Sequence, residues 1–351
     1  MKNKISILIF ISLCIISCNG KRGKVTISGD IKSLTTNEIY LYGQDGSFDY
    51  VDTIKVNNGS FDSNIDVDAL SAAFLLINNE SEYPIYFKKG DHIKIKGNAL
   101  DLAGLKVTGN HLNDDFTEFK KTLSKSGDIS KMTFTNEYIS DKSLLSQAQN
   151  YISTHGNSLV SIYLIDKYFV HQTMPDYPLI KQLISKLSPS LRKIAQVTEL
   201  SDYINRWERS RMGAVAPTFS LPDDKGGIVM RTNGQLQNKY ILLTFWASWT
   251  SNRAQTSAEM RQLYNAYHSN PRFEMVNISL DTDKAEWKRS IKQDMLQGIQ
   301  LCDLNGFNSP VVNQFAVTSL PSYFLIAPDG VILARDMLGQ ALQLQIDAAL
   351  K

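Results

Sequence analysis

The chain has 351 residues, of which 43% are hydrophobic and 21% charged, a composition that excludes a disordered or coiled-coil protein. Length alone implies two or three domains, since one compact core serves about 100–200 residues. Lys and Arg number 37 against 35 Asp and Glu, and Lys2 and Lys4 account for the difference, so from Cys18 onward the charge balances to zero. Nucleic-acid binders rely on phosphate contacts and carry a basic surplus, so a nucleic-acid partner is disfavoured.

Lys2-Asn3-Lys4 precede a short apolar run from Ile5 to Ser17. Spanning a bilayer takes about 20 apolar residues, so residues 1–17 read as a signal peptide rather than a membrane span. The run ends Ile15-Ile16-Ser17-Cys18 and turns polar at Asn19-Gly20. Two apolar residues, a small one and a cysteine resemble the lipobox of bacterial lipoproteins. The resemblance implies cleavage before Cys18, lipidation of its sulfur, and a body tethered to a membrane of the cell envelope, with the outer membrane expected. Secretion with an unmodified Cys18 is the alternative. Once Cys14 leaves with the leader and Cys18 is acylated, Cys302 is the one remaining thiol. The mature chain then has no internal disulfide, and its fold must rest on its core.

Residues 18–110 carry a β pattern. Val25/Ile27, Ile39/Leu41, Ile54/Val56 and Ile93/Ile95 alternate with polar neighbours, the period of half-buried strands. Asn57-Asn58-Gly59 predicts a hairpin between Asp52–Val56 and Ser60–Ile65, and Lys89-Gly90-Asp91 a second turn. The expectation is a small antiparallel sandwich or barrel. Val51 to Phe61, followed by Tyr86-Phe87-Lys88-Lys89-Gly90-Asp91, resembles the β-rich domain of unknown function that precedes thioredoxin-like domains in many envelope lipoproteins.

Residues 111–212 switch to a helical pattern. Leu159, Ile162, Tyr163 and Phe169 share a face, and Leu179, Leu183 and Leu187 recur every four positions, with breaks at Gly127, Gly156, Pro175, Pro178 and Pro189. The region reads as a helical connector.

Residues 213–351 alternate strand and helix, which specifies an α/β layer fold. The continuous apolar run Tyr240 to Phe245 suits a central strand buried on both faces. Ser322–Ile326 and Val331–Ala334 flank the turn Ala327-Pro328-Asp329-Gly330. Three blocks carry a resemblance to the thioredoxin-like proteins of bacterial envelopes, near the alkyl-hydroperoxide-reductase and cytochrome-maturation branches. They are the lead-in Gly213 to Asp223, the strand Leu243-Thr244-Phe245-Trp246-Ala247-Ser248-Trp249, and Ser319 to Gly330 with its cis-proline position at Pro321. The whole is therefore expected to be multidomain: an all-β N-terminal domain, a helical middle and a C-terminal thioredoxin-like fold.

In that family a Cys-x-x-Cys follows the tryptophan. Here Trp249 is followed by Thr250-Ser251-Asn252-Arg253, placing Thr250 and Arg253 at the two sulfur positions. Dithiol exchange needs an attacking thiolate and a resolving thiol, and a hydroxyl and a guanidinium supply neither. No catalytic residue is assigned. Thr250 or Ser251 is expected to cap the following helix. Trp249, Thr250, Ser251, Arg253, Leu320 and Pro321 form a candidate non-covalent groove for an extended peptide or a small anion. Arg253 opposes the macrodipole of its own helix, so it either pairs with an acid elsewhere or recognises a carboxylate. Cys302 reads as a small buried hydrophobe; the alternative is a lone thiol supporting oxidoreductase chemistry, on its own or with a partner's cysteines. The five histidines are scattered, with no metal-ligand spacing, and no cofactor is expected. Asp281 and Asp283 read as helix-start and solvent-facing residues.

Overall fold

A computed structural model describes residues 24–43, 51–67, 70–135, 137–232 and 234–351; the leader and Cys18 lie outside the described residues. The chain divides into two compact units, with the break after Thr198.

In the first unit the strands are β1 (Lys24–Lys32), β2 (Glu38–Gly43), β3 (Asp52–Lys55), β4 (Ser60–Asp66), β5 (Ser71–Ile77), β6 (Ser81–Phe87), β7 (His92–Asn98) and β8 (Asp101–Thr108). They form two four-stranded sheets, ordered β4-β1-β7-β8 and β3-β2-β5-β6. The predicted alternation is realised: β1 buries Val25, Ile27 and Ile31, and β7 buries Ile93 and Ile95, with the intervening residues more exposed. Each such side chain contributes about 1.5–3 kcal/mol when fully buried.

Two details of pairing differ from expectation. Asn58 and Gly59 take φ of 49° and 85°, as a tight turn requires, yet β3 and β4 belong to different sheets and only Asn57 and Ser60 bridge. The turn reverses the chain locally; partner choice beyond it follows from which neighbour completes a buried row. Strands β1 and β7 also pair in parallel, while the other pairs of the two sheets are antiparallel.

Four helices follow, α1 (His111–Ser126), α2 (Lys142–Thr154), α3 (Leu159–Ile165) and α4 (Tyr177–Lys186), and the boundary between the units falls within the next, α5 (Ala195–Arg209). The side chain of Asn110 caps α1 by accepting from the Asn113 N–H at 3.1 Å, and Gly127 ends it at φ 79°. Helix α3 runs on into a π-helical turn, Asp166–Val170. Phe116 and Tyr163 bring these helices onto the sheet, meeting Tyr83 and Phe74 with ring centroids 5.7 and 6.0 Å apart. This covers the second face of β5 and β6 and explains why those strands are buried almost continuously.

The second unit adds β9 (Ser220–Pro222), β10 (Ile228–Met230), β11 (Tyr240–Trp246), α6 (Arg253–Tyr267), β12 (Phe273–Ser279), α7 (Lys284–Gln293), β13 (Ile299–Leu301), α8 (Pro310–Gln314), β14 (Ser322–Ile326), β15 (Ile332–Arg335) and α9 (Gly339–Leu350). Five strands form one sheet ordered β13-β12-β11-β14-β15, with β11 central, parallel to β12 and antiparallel to β14. Leu243 and Phe245 face one apolar cluster, Leu242 and Trp246 the other, so the uninterrupted apolar run is accounted for by burial on both sides. The lead-in lies against the start of β15 through Gly213 N–H to Ile332 O and Ala216 N–H to Gly330 O, both 2.8 Å. Helix α7 is capped by the Asp283 side chain, which accepts from the Ala285 and Glu286 N–H groups.

Lys120 is only 6% exposed; its ammonium donates to Tyr83 Oη at 2.8 Å and Leu105 O at 2.6 Å. Burial lowers its pKa to about 8, with Asp101 acting in the opposite direction. Between that value and the ordinary lysine range, the unfolded chain holds the proton more tightly than the folded one. Stability should therefore rise with pH from 8 to about 10, by up to about 3 kcal/mol. Denaturant titrations across this range are expected to show the rise in the native protein and to lose it in Lys120→Met.

Candidate functional site

Parallel β11 and β12 end together, and antiparallel β14 begins beside the end of β11, with Phe245 opposite Ser322. The loop after β11, the loop after β12 and the segment entering β14 therefore meet at one edge of the sheet. Trp249, Thr250, Ser251 and Arg253 lie in or just after the first loop. Asp281 lies in the second, and the Leu320–Pro321 bond, which is cis, in the third.

Trp249 is 57% exposed, its ring 6.2 Å from that of Phe307, itself 43% exposed. Leu320 is half-buried and packs on the core cluster that includes Phe245 and Phe324. The edge thus presents two exposed aromatic rings beside the cis-proline segment.

Neither Thr250 nor Ser251 caps α6. The Thr250 hydroxyl donates back to Ala247 O at 3.1 Å, Ser251 is exposed, and the cap position falls on Asn252 without a side-chain bond. The reason is geometric. The loop makes one more turn before the helix begins at Arg253, so Thr250 meets the end of the strand and offers its carbonyl, not its side chain, to the Arg253 N–H at 3.1 Å.

Arg253 pairs with an acid. Its Nε donates to Asp294 Oδ2 at 2.7 Å and its Nη2 to Asp294 Oδ1 at 2.9 Å, a bidentate pair. Ser257 Oγ donates to the same carboxylate at 2.9 Å, and Arg261 Nη1 reaches the Asp294 carbonyl at 2.5 Å. Burial pushes the Asp294 pKa up, but the bonds from Arg253 and Ser257 outweigh it and hold the carboxyl below the usual range. An arginine expected in the groove is thus turned to the end of α7, where its charge is compensated.

Asp281 is 2% exposed, not solvent-facing, because it sits beneath the loop and not at the helix start; Asp283 takes the cap. Its carboxylate accepts from Ser248 N–H at 3.2 Å, Ser248 Oγ at 2.5 Å and Ser279 Oγ at 2.6 Å. No local sequence pattern marks Asp281 or Asp294 as a site residue. The one signal for Asp281 is its place just past the carboxyl end of a strand, where α/β sheets build their sites.

Cys302 is 3% exposed, just past β13, with Sγ donating to Asp281 O at 3.3 Å. Burial raises its pKa, and the nearby Asp281 and Asp303 charges add to the effect, so the group is a thiol and not a nucleophilic thiolate. Among the described residues, no group of three or more His, Cys, Asp or Glu side chains could hold a metal ion.

Residues 238–332 match the family profile "Thioredoxin-like", and residues 25–116 match "Domain of unknown function (DUF4369)". Among solved structures, a thiol-disulfide oxidoreductase from Bacteroides fragilis is 41% identical; the match covers 38% of this chain and 98% of that one, with a TM-score of 0.37. The C-terminal domain of a Bacteroides thetaiotaomicron protein is 38% identical over 40% of this chain and 97% of that one, with a TM-score of 0.39. No curated protein matches the chain.

Asp281→Ala leaves the Ser248 and Ser279 donors without their acceptor. The expected cost is about 2–4 kcal/mol of stability, read by chemical denaturation, because each stranded buried donor forfeits about 1–3 kcal/mol.

Proposed function

The chain belongs, through its C-terminal unit, to the thioredoxin-like family, and from that premise we propose that it is a lipid-anchored envelope protein that binds an extended polypeptide without thiol chemistry. The carrying observation is the occupancy of the two former sulfur positions: Thr250 is bonded to Ala247 O and Arg253 to Asp294. Both are committed to holding the loop, while Trp249 beside them stays exposed. An extended segment laid along Leu320–Pro321 would gain main-chain hydrogen bonds and an aromatic wall from Trp249 and Phe307. Attachment through Cys18 rests on the Ile15-Ile16-Ser17-Cys18 pattern. Among the described residues, no helix is long and apolar enough to cross a membrane.

The competing reading is a thiol-disulfide oxidoreductase, the activity named for the B. fragilis relative. Here it would have to work through Cys302 or a partner's cysteines. The burial and raised pKa of Cys302 oppose it.

Dithiothreitol-driven reduction of insulin by the purified protein should stay at background and be the same for Cys302→Ser; turnover abolished by that substitution would establish the competing reading. A photo-crosslinker placed at position 249 or 320 in cells should capture a polypeptide, and one at the exposed Leu344 of α9 should not. In the same cells Trp249→Ala should weaken capture through position 320 by about tenfold or more, the scale of an aromatic anchor. Equal capture from all three positions would remove the groove from consideration.

A further inference from the structure

The first unit holds a cavity of about 410 Å³ between the β5–β6 side of its sheet and the π-helical turn that follows α3. Its volume is in the range of small-molecule sites. A narrow apolar slot of about 30 Å³ adjoins it: the two spaces share Phe74, Tyr163 and Asp166 as walls, and Pro84, Leu159 and Ile162 line the slot.

The lining is unbalanced in charge. Glu82, Glu137 and Asp166 contribute three carboxylates, against the single lysine Lys167 and the imidazole of His171. Lys167 is already engaged, its ammonium donating to the Thr135 carbonyl. Glu82 accepts from the Tyr42 hydroxyl at 2.5 Å. Asp166 is worse supplied. Its side chain is 21% exposed, and its contact among the described residues is the His171 Nδ1 at 3.4 Å. Burial raises the Asp166 pKa, with His171 and Lys167 pulling it back and Glu82 adding to the rise. A partly buried carboxylate with one long contact to an imidazole is stabilised by an incoming cation.

Tyr163, a wall of both spaces, is 8% exposed, and its hydroxyl is buried with no hydrogen-bond partner among the described residues. Phe74, Tyr138 and Tyr163 add aromatic faces, which attract cations and not anions. The carboxylates do not converge as metal ligands, since no such set exists among the described residues. What remains is an organic cation with an apolar portion.

We propose that this cavity binds a small aliphatic amine, its ammonium seated against Asp166 and Glu82 and its hydrocarbon chain lying within the cavity against Phe74 and Tyr163, with its end toward the slot lined by Pro84 and Ile162. The site is separate from the groove of the second unit and stands whether or not the groove reading does.

Calorimetric titration of the full-length chain with n-pentylamine, beside n-pentanol and pentanoate, tests it. Saturable binding is expected for the amine alone, and affinity should climb from methylamine to n-pentylamine. Asp166→Asn should weaken it by about tenfold or more. Because that change removes a poorly paired carboxylate, the variant's melting temperature should be unchanged or higher, so lost binding cannot be put down to misfolding. Three outcomes would each overturn the proposal: no saturable heat with any amine, equal binding of the alcohol or the acid, or undiminished affinity in the folded variant.

Discussion

The edge of the second unit depends on a carboxylate buried among hydrogen-bond donors and, among the described residues, held by no ion pair. Asp281 receives the Ser248 amide and hydroxyl and the Ser279 hydroxyl, and its own N–H donates to Ser279 Oγ at 3.0 Å. A charge so placed is costly to desolvate unless its lone pairs are filled. Here the donors come from the ends of β11 and β12. The first residues of the loop are therefore held in one place, and Trp249 is presented from a fixed base.

A second carboxylate secures the far end of the same loop. Asp294, at the end of α7, takes the fork of Arg253 and the hydroxyl of Ser257 from the first turns of α6. An isolated arginine in a first helical turn opposes the macrodipole by about 0.3–1 kcal/mol; a bidentate partner more than offsets this. The two pins give the residues after Trp249 a structural role. Thr250 and Arg253 tie strand, loop and helix together, and the Trp249 ring between those pins stays exposed.

The first unit handles its buried polar groups in two ways. Lys120 is satisfied by a phenol and a carbonyl under two aromatic rings, so its cost shows as a lowered pKa and not as an open valence. Asp166 has no comparable set of donors among the described residues. The contrast matters because the two lie in the same helical region. Lys120 is completed internally, whereas the partly buried Asp166 borders the cavity.

Periodicity and local turn chemistry were determined by the sequence itself. The alternation of β1 and β7, the doubly buried run of β11, the positive φ at Asn58 and Gly59, and the absence of sulfur after Trp249 all depend on neighbours within a few residues. Only the tertiary structure decided which strands pair across sheets, why β1 meets β7 in parallel, and where single side chains turn. Arg253 and Asp294 are 41 residues apart, and Ser248 and Asp281 are 33 apart. No local pattern encodes such meetings, since a side chain's partner is fixed by whichever donors and acceptors the packed sheet and helices bring to it, and burial raises the cost of leaving it unpaired.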